Sequence, residues 1–151
     1  MSQTKLAFVA SQDETALQAK RELENKYAHV PENDADVVVV LGGDGKMLEA
    51  LRYYIDKPVK VFGMNKGTVG FLMNEFSSDN LLKRIEAATL VTLHPLRMHV
   101  ETSTGTVKEA LAFNEVSLLR ETSQTAKLRI TIDGTVRMEE LLCDGILVST
   151  P

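Results

Sequence analysis

Val37 to Leu41 is an unbroken apolar run, four valines and a leucine, and it leads straight into Gly42-Gly43-Asp44-Gly45. A continuous β-branched run of this kind is the pattern of a strand covered on both faces, as in a parallel sheet. Glycines packed this densely mark an abrupt turn, and a helical pattern, Met47 to Tyr54, follows. Parallel strands need crossover connections, usually helices, so the flanking sequence must supply them. It does. Leu6 to Ala10 reads as a short buried strand. Asp13 to Tyr27 reads as a helix capped by Asp13, with Ala16, Leu17, Ala19, Leu23 and Tyr27 on its apolar face. Val59 to Met64 is a third strand after Pro58, and Asn65 to Phe71 is a loop. A helix capped by Ser77 or Ser78 runs to about Ala88, with Leu81, Leu82 and Ile85 inward. The alternation predicts an α/β fold with a parallel sheet over residues 1–90.

The pattern changes from residue 91. Val91 to Glu101, Lys108 to Arg120, Ala126 to Asp133, Thr135 to Leu142 and Ile146 to Ser149 read as strands. Thr104-Gly105 and Asp133-Gly134 mark hairpin turns. Residues 91–151 are therefore expected to be a separate β part. Composition then removes whole classes of function. Apolar runs such as Val37 to Leu41 are far too short to span a bilayer, and the N-terminal stretch is too short to be a signal peptide. Against 17 Lys and Arg stand 21 Asp and Glu, a net charge of −4, which argues against a nucleic-acid partner. The single cysteine, Cys143, excludes an internal disulfide and fits a reducing cytoplasm. His29, His94 and His99 form no metal-ligand pattern.

Four short segments can carry chemistry. In Gly42-Gly43-Asp44-Gly45, glycines permit left-handed angles and close approach of a ligand. The helix start behind them suits phosphate. Asp44, at the carboxyl end of a strand, can hold a metal ion, take a proton from an attacking hydroxyl, or simply cap the helix. In the second loop Gly63, Gly67 and Gly70 keep the backbone thin. There Phe71-Leu72 can close over a flat base, or Phe71 can sit in the core of a plain connector. Asn114-Glu115 interrupts the apolar stretch Ala110 to Leu119; as one strand, Asn114 shares a face with Ala112, and Glu115 with Phe113. That pair suits hydrogen bonds to a ligand, or an edge strand with one wet face. Asp144-Gly145 taken by itself is a turn signal.

Taken in order, these segments resemble the NAD kinase family. Val40-Leu41-Gly42-Gly43-Asp44-Gly45 is similar to its glycine-rich motif, and Asn65-Lys66-Gly67-Thr68-Val69-Gly70-Phe71-Leu72 to its second loop. Ala112-Phe113-Asn114-Glu115 is similar to its Asn-Glu motif, and Asp144-Gly145-Ile146-Leu147-Val148-Ser149-Thr150-Pro151 to the opening of its signature segment. The first motif alone is shared with phosphofructokinases and lipid kinases; all four in order are specific. The resemblance implies a Rossmann-like domain followed by a β-sandwich, of which residues 91–151 are an incomplete part. It implies phosphoryl transfer from ATP or polyphosphate to the 2′-hydroxyl of the adenosine ribose of NAD, with a divalent cation, usually Mg²⁺, accompanying the donor.

By the same resemblance Asp44 is the general base, and Gly43 and Gly45 admit phosphates and ribose. Asn65, Phe71 and Leu72 belong to the substrate loop, with Phe71 against the adenine. Asn114 and Glu115 bind the dinucleotide. Asp144 reaches the nicotinamide side, and Ser149 lies in the signature segment. A homodimer or homotetramer in the cytoplasm is implied, with no nucleic acid or membrane partner. Asp44→Asn is expected to stop transfer and leave NAD binding largely intact. The rival readings are a lipid kinase of the diacylglycerol or sphingosine type and an NAD-binding fragment without catalysis. Two departures stand out. Lys46 replaces the usual threonine or serine, where it can add a phosphate contact or sit at the surface. The family's next substrate-binding segment is missing after Pro151, so the chain reads as C-terminally truncated. An incomplete sandwich leaves edges and apolar faces open to association.

Overall fold

A computed structural model describes residues 4–67 and 70–150. Thr68 and Val69 of the second loop and Pro151 of the last motif lie outside the described residues. The chain divides into two compact units, Met1–Thr92 and Leu93–Pro151.

The first unit is a four-stranded parallel sheet in the order β1 (Leu6–Ala10), β2 (Val37–Leu41), β3 (Lys60–Asn65), β4 (Asn74–Glu75). In register, Phe8 faces Val39, which faces Phe62. The helices are α1 (Glu14–Lys26), α2 (Asp44–Tyr53) and α3 (Leu81–Ala87). All of β2 is buried, and its period of two explains why. Val37, Val39 and Leu41 pack with Ala16, Ala19 and Leu23 of α1 and Leu81 of α3. Val38 and Val40 pack with Met47 and Ala50 of α2 and with Tyr54. Each fully buried aliphatic side chain contributes about 1.5–3 kcal/mol of transfer free energy, so β2, buried throughout, gives the core more than any other strand of the unit. Asp13 caps α1 as expected, its carboxylate accepting the Ala16 N–H at 2.8 Å.

Several boundaries differ from the sequence reading. Helix α2 begins at Asp44 rather than Met47, because Gly43 is the cap and the motif's last two residues already lie in the first turn. Helix α3 is not capped by Ser77 or Ser78. Its cap is Asn80 in the left-handed region, with φ of 52°. The Leu81 N–H goes instead to the Tyr27 hydroxyl (3.1 Å), which in turn donates to the Ser78 carbonyl (2.7 Å). Ser77 is used in a local turn, accepting the Asp79 N–H. The short strand β4 and a 3₁₀ turn at Glu32–Asp34 carry too few residues for a pattern to show.

The second unit consists of three antiparallel ribbons. They pair β5 (Leu96–Glu101) with β6 (Val107–Ala112), β7 (Glu115–Leu119) with β10 (Gly145–Ser149), and β8 (Ala126–Ile132) with β9 (Thr135–Cys143). Asp133 (φ 50°) and Gly134 (φ 74°) form the two-residue turn joining β8 to β9. Both central angles are positive, as a tight hairpin turn requires. The expected strand from Val91 starts only at Leu96, after Pro95, which has no N–H for a ladder. The expected strand Lys108 to Arg120 is two strands, broken by a bend at Phe113-Asn114. No residue described in this unit is buried. Among the described residues, no helix is long and apolar enough to cross a membrane.

Candidate functional site

Parallel topology puts the carboxyl ends of β1, β2 and β3 side by side, the place where open α/β sheets hold ligands. The chain is pinned there by backbone bonds. The Ser11 N–H donates to the Leu41 carbonyl (2.9 Å), and the Gly42 N–H donates to the Met64 carbonyl (3.2 Å). Gly42 has φ of 146°, and a Cβ on it would meet the Ser11 hydroxyl oxygen at 2.7 Å. Only glycine serves at this point. Gly43, by contrast, has φ of −96°, and Gly45 lies in the helix, so left-handed freedom does not explain either. A Cβ on Gly43 or Gly45 would meet no atom within 4 Å. The space beside both is open, at a helix start whose first N–H groups have no carbonyl in their own helix.

Asp44 does not cap its helix; Gly43 does, without a side-chain bond. The Asp44 carboxylate instead accepts two N–H groups of the second loop, from Phe71 to Oδ2 (2.9 Å) and from Leu72 to Oδ1 (3.1 Å). The first two motifs therefore meet at one side chain. Each oxygen keeps acceptor capacity, since a carboxylate offers about four lone-pair sites. Asn65 ends β3 and accepts the Gly67 N–H at 3.0 Å, shaping the start of that loop. Phe71 is 102% exposed, so the core placement that a plain connector would give it is not adopted. Leu72 packs against the α2 side of the sheet.

The cations near these motifs have acidic partners. Lys46 Nζ lies 2.9 Å from Glu49. Lys66 Nζ lies 3.1 Å from Glu22 and 4.5 Å above the Phe76 ring centroid. A Ser78 hydroxyl bond and then Lys66 hold the Glu22 carboxyl below its ordinary range. At the end of β1, a hydroxyl bond from Ser11 and then the Ala16 N–H lower Asp13 in the same way.

In the second unit, pairing of β7 with β10 brings the third and fourth motifs together. Glu115 faces Ser149 in register, and the Thr150 N–H donates to the Asn114 carbonyl (3.2 Å). The bend removes the face-sharing of Ala112 with Asn114 and of Phe113 with Glu115, because those residues do not lie on one strand. Asn114, Glu115 and Ser149 are exposed. Asp144 lies at the other end of β10, in an ion pair with Arg120 Nε (2.6 Å), and its carbonyl accepts the Arg120 N–H (2.9 Å). Ser11 and Arg120 had no motif to mark them; only register places them at these ends. Among the described residues no three His, Cys, Asp or Glu side chains gather as a metal site. An open depression of about 450 Å³ beside β1, lined by Lys20, Glu24, His29 and Glu32 among others, shares no residue with the four motifs.

Comparison with known proteins matches residues 1–90 to the family described as ATP-NAD kinase N-terminal domain. An NAD kinase of Hyphomonas neptunium is 54% identical over the whole chain, which covers 59% of that protein. One of Brucella suis is 52% identical over the whole chain, covering 60% of it. One of Caulobacter vibrioides is 53% identical over 98% of the chain and 57% of its own length. The chain thus spans about three fifths of the length of the curated relatives it matches.

Proposed function

The chain belongs to the NAD kinase family, and on that premise we propose that it supplies the base and the nucleotide-facing loops of an enzyme that phosphorylates NAD to NADP. The observation that carries this reading is the meeting of two motifs at Asp44, at the carboxyl ends of the strands, with open space at Gly43 and Gly45. In the reaction the ribose 2′-hydroxyl loses its proton to Asp44. Its oxygen attacks the terminal phosphorus of ATP or polyphosphate, and the shortened donor leaves. Phosphoryl transfer of this kind is mostly positioning and charge neutralisation.

The remaining roles follow the same reading. Phe71, exposed beside Asp44, lies against the adenine, and Asn65 and Leu72 shape that loop. Asn114, Glu115 and Ser149, gathered at one end of the β7–β10 ribbon, bind the dinucleotide. Asp144 faces the nicotinamide side, and its Arg120 partner must then share or release it. Among the motif residues of the first unit Asp44 alone is a carboxylate, so a divalent cation would be held chiefly by the donor's phosphates, with Asp44 as the one carboxylate within the motif, and would offset the phosphate charge. Residues 91–151 are part of a larger β-sandwich domain, the enzyme is a homodimer or homotetramer, and its place is the cytoplasm.

The test is NADP formation from NAD with ATP and with polyphosphate, by the chain and by Asp44→Asn. Loss of the base should lower the rate about 10²–10⁴-fold. A variant as active as the parent removes Asp44 from the role, and turnover of diacylglycerol in place of NAD overturns the substrate.

A further inference from the structure

Asp44 has two backbone partners that a base does not need. Their donors, Phe71 and Leu72, are 27 and 28 residues away in the chain. The Phe71 ring is 102% exposed, so burial of the ring does not hold it where it stands. A Cβ built on Gly70 would collide with both oxygens of the Asp44 carboxylate, so the loop backbone runs directly against that group. We propose that the Asp44 carboxylate is the anchor of the Gly70–Leu72 segment, and that it thereby positions the Phe71 ring beside the start of α2. The anchor itself is fixed, because Asp44 follows the cap Gly43 and sits on the first turn of a helix packed on β2. Two N–H groups on one carboxylate are charge-assisted bonds, stronger than neutral ones. Leu72 adds an apolar contact on the α2 side, and the ring between the pinned residue and Gly70 is left facing solvent.

The consequence for nucleotide binding rests on the function proposed above; the anchoring does not. An asparagine at 44 offers one carbonyl oxygen and one NH₂, and the NH₂ must face an N–H. Asp44→Asn therefore breaks at least one of the two bonds. The expectation that this variant binds NAD largely intact is accordingly replaced: it loses affinity as well as turnover.

The experiment uses the full chain as parent, Asp44→Asn, Gly70→Ala and the double variant. Amide hydrogen exchange is read at Phe71 and Leu72, with Val38 to Val40 as the internal reference for folding. Both single variants should exchange about tenfold faster at Phe71 or Leu72, with β2 unchanged. Titrated with NAD, both should bind several-fold more weakly. The double variant should be no worse than the worse single, since both break one contact. Unchanged exchange at Phe71 and Leu72 in Asp44→Asn overturns the anchor, and so do additive losses in the double variant. If Asp44→Asn also releases Val38 to Val40, Gly70→Ala decides by the same amides. A parent that binds no NAD counts against the proposed function, and exchange alone then decides the anchor.

Discussion

The two units solve the same burial problem with opposite results. In the first, the central strand β2 is covered on both faces, and Leu23, Val38, Val39, Val40, Met64 and Leu81 are fully buried. In the second, Leu119 is 75% exposed and Leu147 66% exposed. The ribbons are amphipathic all the same. Leu128 faces Leu141 across β8 and β9, while Lys127 and Arg129 pair with Glu140 and Glu139. A two-stranded ribbon is marginal by itself, because it has nothing to bury its apolar face against. A parallel βαβ unit carries its own cover in the crossover helix. The lesson is that one fold class closes its core within a contiguous stretch of chain and the other needs strands from elsewhere.

The largest expected effect is on hydrogen exchange. The amides of Val38 to Val40 should exchange at least about a thousandfold slower than those of Leu118 or Leu147, matching a difference in opening free energy of about 4 kcal/mol. Equal protection in both units would break the contrast. Protection of the ribbons that appears only at high protein concentration would mean that copies of the chain cover one another. Next comes truncation of single side chains. Leu23→Ala should cost about 2–5 kcal/mol in denaturant unfolding, by lost transfer energy and a cavity. Leu147→Ala, at an exposed position, should stay within about 0.5 kcal/mol. Comparable losses would show that Leu147 is buried in solution.

The smallest effect is that of pH. Ser11 and the Ala16 N–H hold Asp13 below its ordinary 3.8, and Lys26 does the same for Asp79. Both pKa values are lower in the folded state than in the unfolded one. Their stabilisation is therefore present above the ordinary aspartate range and is lost as pH falls through the folded values. The melting temperature of the first unit should decline modestly as pH falls below the ordinary aspartate range. Asp13→Asn, which keeps an oxygen for the cap, should flatten part of that decline.

Elements with a full period of pattern were legible in the sequence. β1 and β2 stand where the apolar runs put them, and the Asp133-Gly134 turn stands where its residue pair put it. The start of α3 was not legible, because its first N–H is met by Tyr27, which lies 54 residues away. The bend at Phe113-Asn114 was also hidden, since apolar residues continue on both sides of it. For the site, the residue types of all four motifs were readable, but the mutual placement of those motifs was not.

Residue type by itself settled the strands β1 and β2, the capped helix α1, the Asp133-Gly134 turn, and that a lone carboxylate stands among glycines after a buried strand. Those properties depend on side chains and their near neighbours. Tertiary structure alone decided that Asp44 is met by the N–H groups of Phe71 and Leu72, and that Glu115 lies opposite Ser149. Both are backbone relations between distant segments. Every residue but proline carries the same N–H, so no choice of side chain announces which one a carboxylate will find.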